Sequence, residues 1–334
     1  MRAGDRTELR VEEKKMKKLF ALLLAALMLF SLAACGNSDD GKYTIGIVQL
    51  VQHDALDAAT NGFMDAVKEE LGEENVEFDL QNASGDSANC ATIVNGFVSD
   101  DVDLILANAT PALLAAVNGT ETIPVLGTSI TDYGDALKIK DFNGVVGGNV
   151  SGTSDLAPLD QQAAMFDELL PAAKTIGILY CSAEPNSVFQ ADKVEGYLTE
   201  KGVKVTRYTF TDSNDVASVT ATACSECDAL YVPTDNTAAS CGEAIHNAAA
   251  GSGVPIIAGE ENACKLFGVA TLSVDYYNLG VATGKMAARI LKGEADTSEM
   301  AIEFDENPQL KYNPAICQEL GITPPDGYQA MDLG

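Results

Sequence analysis

The chain contains no tryptophan and only two histidines, His53 and His246. The chain therefore has few residues for catalysis or zinc binding through histidine. The GxSxG and GxGxxG patterns are also absent, and Gly280–Lys285 lacks the spacing of a phosphate-binding loop. These absences predict that the chain is not an enzyme and needs no cofactor or metal ion.

Basic residues are scarce. The chain has 21 Lys+Arg against 49 Asp+Glu, a formal net charge of −28. The first 34 residues hold seven of the basic and four of the acidic residues, so the remainder carries 14 against 45, a net charge of −31. Such a surface repels phosphate backbones and anionic lipids. Nucleic acid is therefore excluded as a partner, and any membrane contact must come from an attached lipid.

Cysteines do not form an even set that would indicate a disulfide framework. After Cys35 there are seven, namely Cys90, Cys181, Cys224, Cys227, Cys241, Cys264 and Cys317. At least one is therefore unpaired. Cys224 and Cys227 have redox-motif spacing but lie between a helical stretch and a strand, whereas such motifs start a helix after a strand. We interpret the seven as thiols, although the sequence leaves pairing open.

The one long apolar run, Leu19–Phe30, follows a lysine cluster at 14–18 and ends close to Leu32-Ala-Ala-Cys35. It is too short to span a bilayer, which takes roughly 20 apolar residues. The pattern predicts an export signal over residues 1–34. Because Met16 begins a more usual signal, residues 1–15 are interpreted as an over-extended start.

Cys35 follows the small residues at the expected cleavage point, and Leu32–Cys35 resembles the bacterial lipobox. The resemblance implies that Cys35 becomes the lipidated first residue, with residues 35–42 as a linker outside the cytoplasm. The protein is then held on the outer face of the cell membrane. The alternative is an ordinary signal peptide with an incidental cysteine.

The sequence is internally repeated, because three pairs of segments recur in the same order. The pairs are Thr44–Gln49 with Thr175–Tyr180, Asp103–Thr110 with Asp228–Asp235, and Ile123–Gly127 with Val254–Ala258, at offsets of 131, 125 and 131 residues. Collinear matches at nearly constant offset predict two lobes of one architecture.

Each lobe alternates short apolar runs with amphipathic stretches. Strands are predicted at 43–49, 75–80, 102–107, 122–126, 175–180, 203–210, 228–232 and 254–258, and helices at 55–71, 89–98, 185–201, 214–223, 236–250 and 276–291. Alternation of this kind predicts α/β lobes with parallel sheets, each covered by helices on both faces. Ligands of such sheets bind beyond the carboxyl ends of the strands.

Three chain crossings are predicted between the lobes. The glycine-rich run 144–152 and the segment 272–275 provide two, and residues 302–307 provide the third. The N-terminal lobe is then expected to comprise residues 43–148 and 275–302. The C-terminal lobe is expected to comprise residues 149–274 and 303–334.

The lobes and several short segments resemble the type 1 substrate-binding proteins of ABC importers. The segments are Thr110-Pro-Ala, Asn186-Ser187, Pro233-Thr-Asp-Asn236 and Asp275-Tyr-Tyr. More narrowly, the segments resemble the branch of that family that binds aromatic amino acids, which implies tryptophan, tyrosine or phenylalanine as the ligand. The resemblance covers residues 43–325 and implies two Rossmann-like lobes joined by a three-strand hinge.

An amino-acid ligand offers a carboxylate, which requires hydrogen-bond donors. Thr110 follows a strand and precedes Pro111, so it starts a helix whose free N–H groups and positive dipole end favour an anion. Thr128 and Ser129 add hydroxyls from the neighbouring loop. The alternative for Thr110 is a helix cap and nothing more.

The ammonium of such a ligand requires an acidic group at a strand end. The candidates are Asp155, Asp235, Glu260 and Asp275. Asp235 occupies the position in the second lobe that Thr110 occupies in the first, which suits a zwitterion held from both sides. Alternatively, Asp235 caps the next helix, and Asp275 is a hinge residue or a cap.

Further ligand contacts are predicted from the remaining loops. These are Gln49 and His53 after the first strand, Asn186 and Ser187 at a helix start, and Asn236 beside Asp235. Tyr133, Phe189 and Tyr276 are the aromatic candidates, with core packing as the alternative for each. His53 is equally well interpreted as an exposed turn residue.

These observations predict an extracytoplasmic, lipid-anchored, monomeric protein that captures an amino acid, an aromatic one by preference, through hinge closure and delivers it to the permease and ATPase of an ABC importer. Two alternatives remain. One is a lipoprotein that senses its ligand for a signalling receptor, and the other is the binding of a different solute such as a sugar. The absence of tryptophan weighs against a sugar site, because sugars commonly stack on that residue.

Overall fold

The structure is a computed structural model that describes residues 41–305 and 307–333. The predicted signal sequence and Cys35 lie outside the described residues. From residue 43 to the C-terminus the chain forms one compact unit. No helix among the described residues has the length and apolar character needed to cross a membrane.

The elements alternate between strand and helix, as the sequence predicts. In chain order they are β1 (Tyr43–Gln49), α1 (Asp54–Leu71), β2 (Val76–Asn82), α2 (Ser87–Ser99), β3 (Leu104–Asn108), α3 (Thr110–Gly119), β4 (Val125–Ile130), α4 (Tyr133–Ala136), β5 (Val150–Ser154), α5 (Leu159–Leu169), β6 (Thr175–Cys181), α6 (Pro185–Glu200), β7 (Lys204–Phe210), α7 (Val216–Glu226), β8 (Ala229–Val232), α8 (Asn236–Ser240), α9 (Gly242–Ala249), β9 (Ile256–Ala258), α10 (Glu261–Phe267), β10 (Ala270–Ser273), α11 (Tyr276–Leu291), β11 (Glu303–Phe304), β12 (Gln309–Tyr312), α12 (Pro314–Leu320) and β13 (Gln329–Ala330). A 3₁₀ turn, Glu73–Asn75, precedes β2.

The strands form two sheets with the same core order. The first runs β11-β5-β4-β3-β1-β2 and the second β13-β12-β10-β9-β8-β6-β7. All the pairings are parallel except that between β10 and β12. The shared order, β4-β3-β1-β2 in one sheet and β9-β8-β6-β7 in the other, confirms the predicted duplication.

One carboxylate plays the same part in each lobe. Asp103 accepts a hydrogen bond from the backbone N–H of Thr44 at 2.7 Å, and Asp228 accepts from those of Lys174 and Thr175 at 2.8 Å each. Each aspartate joins the loop before one strand to the start of its neighbour. The repeated segments are therefore alike in their contacts as well as in sequence.

The crossings between the lobes differ in part from those predicted. β5 continues the first sheet as far as Ser154, so the first crossing lies at 155–158 and later than the predicted boundary at residue 148. Several glycines of the predicted run, among them Gly147 and Gly148, have positive φ and shape the approach to β5. β11 also pairs with β5 in the first sheet, so residues 303–304 belong there rather than with the second.

Helices α1 and α11 pack against each other at very short range. A methyl group on Gly280 would overlap the carbonyl oxygen of Ala59, and one on Gly62 would overlap that of Tyr277. Gly284 lies similarly close to Phe63. The glycines at 280 and 284, which do not form a phosphate loop, therefore allow the backbones of the two helices to touch.

Replacing Gly280 with alanine should destabilise the protein, because the backbones of α1 and α11 must separate to admit the methyl group. Overpacking of this kind costs about 1–3 kcal/mol of the free energy of unfolding. Chemical denaturation measures it. The matched control is Gly196→Ala in the exposed interior of α6, where a methyl group meets nothing within 4 Å. That substitution should stabilise by about 0.5–1 kcal/mol, and equal effects at the two sites would contradict the packing argument.

Candidate functional site

The carboxyl ends of the two sheets face each other, and the lobes are in contact across the space between them. His53 Nε2 of the first lobe lies 3.3 Å from Asn236 Oδ1 of the second. Gln190 on α6 donates to Thr131 Oγ1, which follows β4, at 3.3 Å. The structure is therefore a closed arrangement of the lobes.

Closure leaves a small internal cavity that both lobes line. Its volume is about 10 Å³, which admits a single water molecule. The predicted residues that line it are His53, Ser129, Asp155, Asn186, Asp235, Asn236, Glu260 and the aromatic candidate Tyr276, joined by Ala55, Leu56, Thr131, Thr234 and Ala239. A ligand of amino-acid size therefore enters only when the lobes separate.

A wider cleft of about 620 Å³ adjoins this cavity. His53, Ala239 and Glu260 line both spaces. Ala263 and Leu266 give the wider cleft part of its apolar wall. The two spaces together could hold a ligand with a charged end and a bulkier apolar end.

Six buried polar side-chain atoms of the described residues have no hydrogen-bond partner in the protein. His53 Nδ1, Ser129 Oγ and Asn186 Oδ1 belong to residues that line the cavity. The other three, Asn108 Oδ1 at the end of β3, Thr110 Oγ1 at the start of α3 and Thr271 Oγ1 on β10, belong to residues outside that lining. Leaving such a group unpaired costs about 1–3 kcal/mol. Three of them in one cavity lining indicate that something other than the protein supplies their partners.

The backbone is strained at Ser129 and at the residue before Thr110. Ala109, directly before Thr110, has φ 93° and Ser129 has φ 57°. Both values are uncommon for residues with a side chain, and such strain concentrates at binding sites. The strain occurs where β3 and β4 end, at the edge of the sheet that faces the second lobe.

The start of α3 is suited to an anion. Thr110 is its first residue, and Pro111 follows. The first N–H groups of a helix have no partner within it, and they carry the positive end of the dipole. Thr110 makes no side-chain cap there, because its buried hydroxyl is unpaired, so the capping alternative fails for this residue.

The charges inside the cavity are all acidic. Asp155, Asp235 and Glu260 are buried in its lining, which contains no lysine or arginine. Burial raises the pKa of Asp235 to about 8, helped by the charge of Glu184, and that of Glu260 to about 7. Burial also raises the pKa of Asp155. A cation in the cavity would offset the desolvation of these carboxylates.

The three carboxylates differ in what holds them. Asp235 accepts from the N–H groups of Ala238 and Cys181, so the helix-cap alternative is what the structure shows. Glu260 similarly caps α10. Asp155, in contrast, accepts only from hydroxyls among side chains, namely Tyr276 at 2.8 Å and Thr131 at 3.2 Å.

Glu184 was not predicted and organises the second lobe's part of the site. It is buried and accepts from the N–H and Oγ1 of Thr237, from the N–H and Nδ2 of Asn236, and from Asn186 Nδ2. Its signal in the sequence was weak, because a glutamate before Pro185 is usually a surface residue. The side chains of Asn186 and Asn236 are fixed by it.

Other predicted contacts have different positions. The side chain of Gln49 donates to Asp57 and accepts from Thr60 within the first lobe. Thr128 Oγ1 accepts from Thr153. Ser187 is fully buried against Asn186. None of the three lines the cavity.

The remaining acidic and aromatic candidates divide likewise. Asp275 is exposed and caps α11, which is the alternative given for it. Tyr133 is buried in the first lobe and bonds the carbonyl of Thr153, and Phe189 packs into the second core. Tyr276 alone of the aromatic candidates reaches the cavity.

The cysteines in the described part of the chain are free thiols. All seven among the described residues are unpaired, and six of them are buried. Cys224 and Cys227 lie at the end of α7 before β8, as the sequence predicted. Within the described ranges no three His, Cys, Asp or Glu side chains are grouped as metal ligands.

Comparison with known proteins identifies relatives of this fold and site. A curated tyrosine-binding protein from Clostridioides difficile strain R20291 is 35% identical over 297 residues, which is 84% of this chain and 86% of that protein. The structure of an ABC domain in complex with L-Trp from Streptococcus pneumoniae is 34% identical with a TM-score of 0.83, and covers 87% of this chain and 100% of that one.

A third relative is a ligand-free, open structure of a substrate-binding protein with adhesive properties from Clostridium difficile. It is 36% identical with a TM-score of 0.66, and covers 87% of this chain and 99% of that one. The family model for ABC transporter substrate-binding proteins matches residues 44–330. The two-lobed α/β fold is thereby confirmed, as is the prediction that the chain is not an enzyme. The chain belongs to the ABC transporter substrate-binding proteins.

Proposed function

We propose that the protein captures an aromatic amino acid between its lobes and delivers it to the permease and ATPase of an ABC importer. The observation that carries the proposal is the set of unpaired buried polar atoms around an acidic cavity. Hydroxyls and a helix start in one lobe suit a carboxylate, and the carboxylates suit an ammonium. The adjoining cleft offers apolar surface for a ring.

The relatives support this choice of ligand. One is named for tyrosine and the other holds L-Trp. The structure of the chain is more similar to that of the L-Trp complex, with a TM-score of 0.83, than to that of the open, ligand-free relative, with a TM-score of 0.66. The sequence identities are nearly equal, 34% against 36%. Sequence divergence does not explain that difference, and we attribute it to the arrangement of the lobes, which is open in the second relative.

The ligand is held from both lobes in this proposal. Its carboxylate meets the start of α3, with the hydroxyls of Thr110 and Ser129. Its ammonium meets Asp155 and Asn186 Oδ1. Because Asp155 and Tyr276 both lie where the chain passes between lobes, ammonium binding acts at the hinge, and the closed state is favoured by the added contacts.

Titration with aromatic amino acids tests the ligand class. The chain has no tryptophan, so the indole fluorescence of added L-Trp reports the ligand alone. We expect a saturable, one-to-one change in that fluorescence. Tyrosine should raise the melting temperature, since a ligand at 100 times its dissociation constant adds about 2.7 kcal/mol of stability. Stabilisation by sugars and by no aromatic amino acid would contradict the proposal.

Asp155→Asn should weaken binding by about 2–5 kcal/mol, because it removes one partner of a buried charge pair. Calorimetric titration with L-Trp measures the change. The control is Asp275→Asn, also at a crossing but exposed, where asparagine still caps the helix. The control should leave affinity unaltered, and equal losses in the two variants would assign the effect to the hinge and not to the ammonium.

The proposal includes lipid anchoring at Cys35 on the outer face of the cell membrane, with a monomeric protein tethered near its permease. Cys35→Ser should move the protein from the membrane fraction to the soluble fraction and abolish incorporation of labelled fatty acid. Cys241→Ser, which alters the one partly exposed thiol among the described residues, is the control and should stay anchored. Membrane retention of the Cys35 variant would refute lipidation there.

A further inference from the structure

His53 lies where the inner cavity meets the wider cleft. Its ring is partly exposed, but the Nδ1 atom is fully buried and has no partner in the protein. The residue precedes α1 without capping it through its side chain. Helix formation therefore does not account for the position of this ring.

The protonation of the ring follows from its neighbours. Glu184 accepts a hydrogen bond from Asn236 Nδ2 at 2.6 Å. This bond fixes the orientation of the amide, so that its Oδ1 faces His53. Oδ1 can only accept, so His53 Nε2, 3.3 Å away, must carry the hydrogen. Burial lowers the pKa of His53 from its ordinary value, which favours the neutral ring at pH 7. In a neutral ring with a protonated Nε2, the Nδ1 atom is an acceptor.

Three of the other unpaired groups can be matched to the ends of an amino acid. Thr110 and Ser129 can donate to a carboxylate, and Asn186 can accept from an ammonium. Both oxygens of Glu260 are taken by the first N–H groups of α10. Among the unpaired atoms of the cavity lining, His53 Nδ1 is thus left as an acceptor, and His53 also lines the cleft that would hold the ligand's ring.

We propose that His53 Nδ1 determines specificity by accepting a hydrogen bond from an N–H or O–H on the ligand's ring. The inference rests on the proposed function and deepens it. Tyrosine and tryptophan carry such a donor and phenylalanine does not. Phenylalanine would leave the Nδ1 atom buried and unpaired, and a site built to bond a donor rejects an analogue that lacks it.

Calorimetric dissociation constants for tyrosine, tryptophan and phenylalanine test the assignment. The unaltered protein should bind tyrosine at least about tenfold more tightly than phenylalanine. In His53→Leu this preference should vanish, with phenylalanine bound at least as well as tyrosine. In His53→Gln, which keeps an acceptor, part of the preference should return. Ser129→Ala is the control, and it should weaken the binding of tyrosine and of phenylalanine by the same factor.

The outcomes separate this inference from the proposed function. If no aromatic amino acid binds the unaltered protein, the proposed function fails and the inference falls with it. If they bind but His53→Leu weakens all three equally, His53 serves the ammonium or the closure, and only the inference is overturned. An unchanged preference in that variant overturns it too.

A spectroscopic measurement on the unaltered protein covers the case in which His53→Leu does not fold. With only two histidines, nitrogen-15 labelling of histidine gives two rings, and His246→Gln identifies which signals belong to His53. We expect the Nδ1 resonance of His53 in the unprotonated range. It should shift on binding tyrosine but not phenylalanine, and a protonated Nδ1 in the complex would refute the proposal.

Discussion

Burial of polar groups that neither lobe can satisfy by itself is the constraint on which this structure depends. Parallel strands bring their loops to one edge of each sheet, and the two edges face each other. When the lobes close, hydroxyls, amides and carboxylates lose water together. The lining offers them no lysine or arginine, so a ligand that is both donor and acceptor is what completes the closed state.

Most polar side chains around the cavity form hydrogen bonds within the protein. The few atoms without a partner therefore stand out. Gln49, Thr60 and Asn108 bond one another behind β1 and β3. Glu184 gathers five donors in the second lobe. These networks hold the side chains around the cavity in fixed orientations, which is what gives an unpaired atom such as His53 Nδ1 a defined direction and chemistry.

The repeat made the fold predictable, since Thr44–Gln49 and Thr175–Tyr180 gave the same strand twice and α11 was predicted at its observed bounds, Tyr276–Leu291. The first crossing was misplaced because glycines with positive φ can precede a strand as well as a hinge. Most residues of the cavity lining were also predicted, because they lie at the ends of strands. The sequence could not separate Asp155 from Asp235, because the hydrogen-bond partners of these carboxylates include residues 24 to 121 positions away along the chain. Glu184 and the tautomer of His53 arise from contacts between distant segments.

The glycine contact between α1 and α11 bears on the motion of the lobes. α1 begins directly after His53 and α11 begins at Tyr276, the donor to Asp155. Because Gly62, Gly280 and Gly284 let the two helices touch along their backbones, we expect the helices to move together. His53 and Tyr276 therefore keep their spacing whether the lobes are apart or together. The part of the proposed site that the first lobe carries would then be preassembled, so that a solute can bind there before the second lobe closes over it.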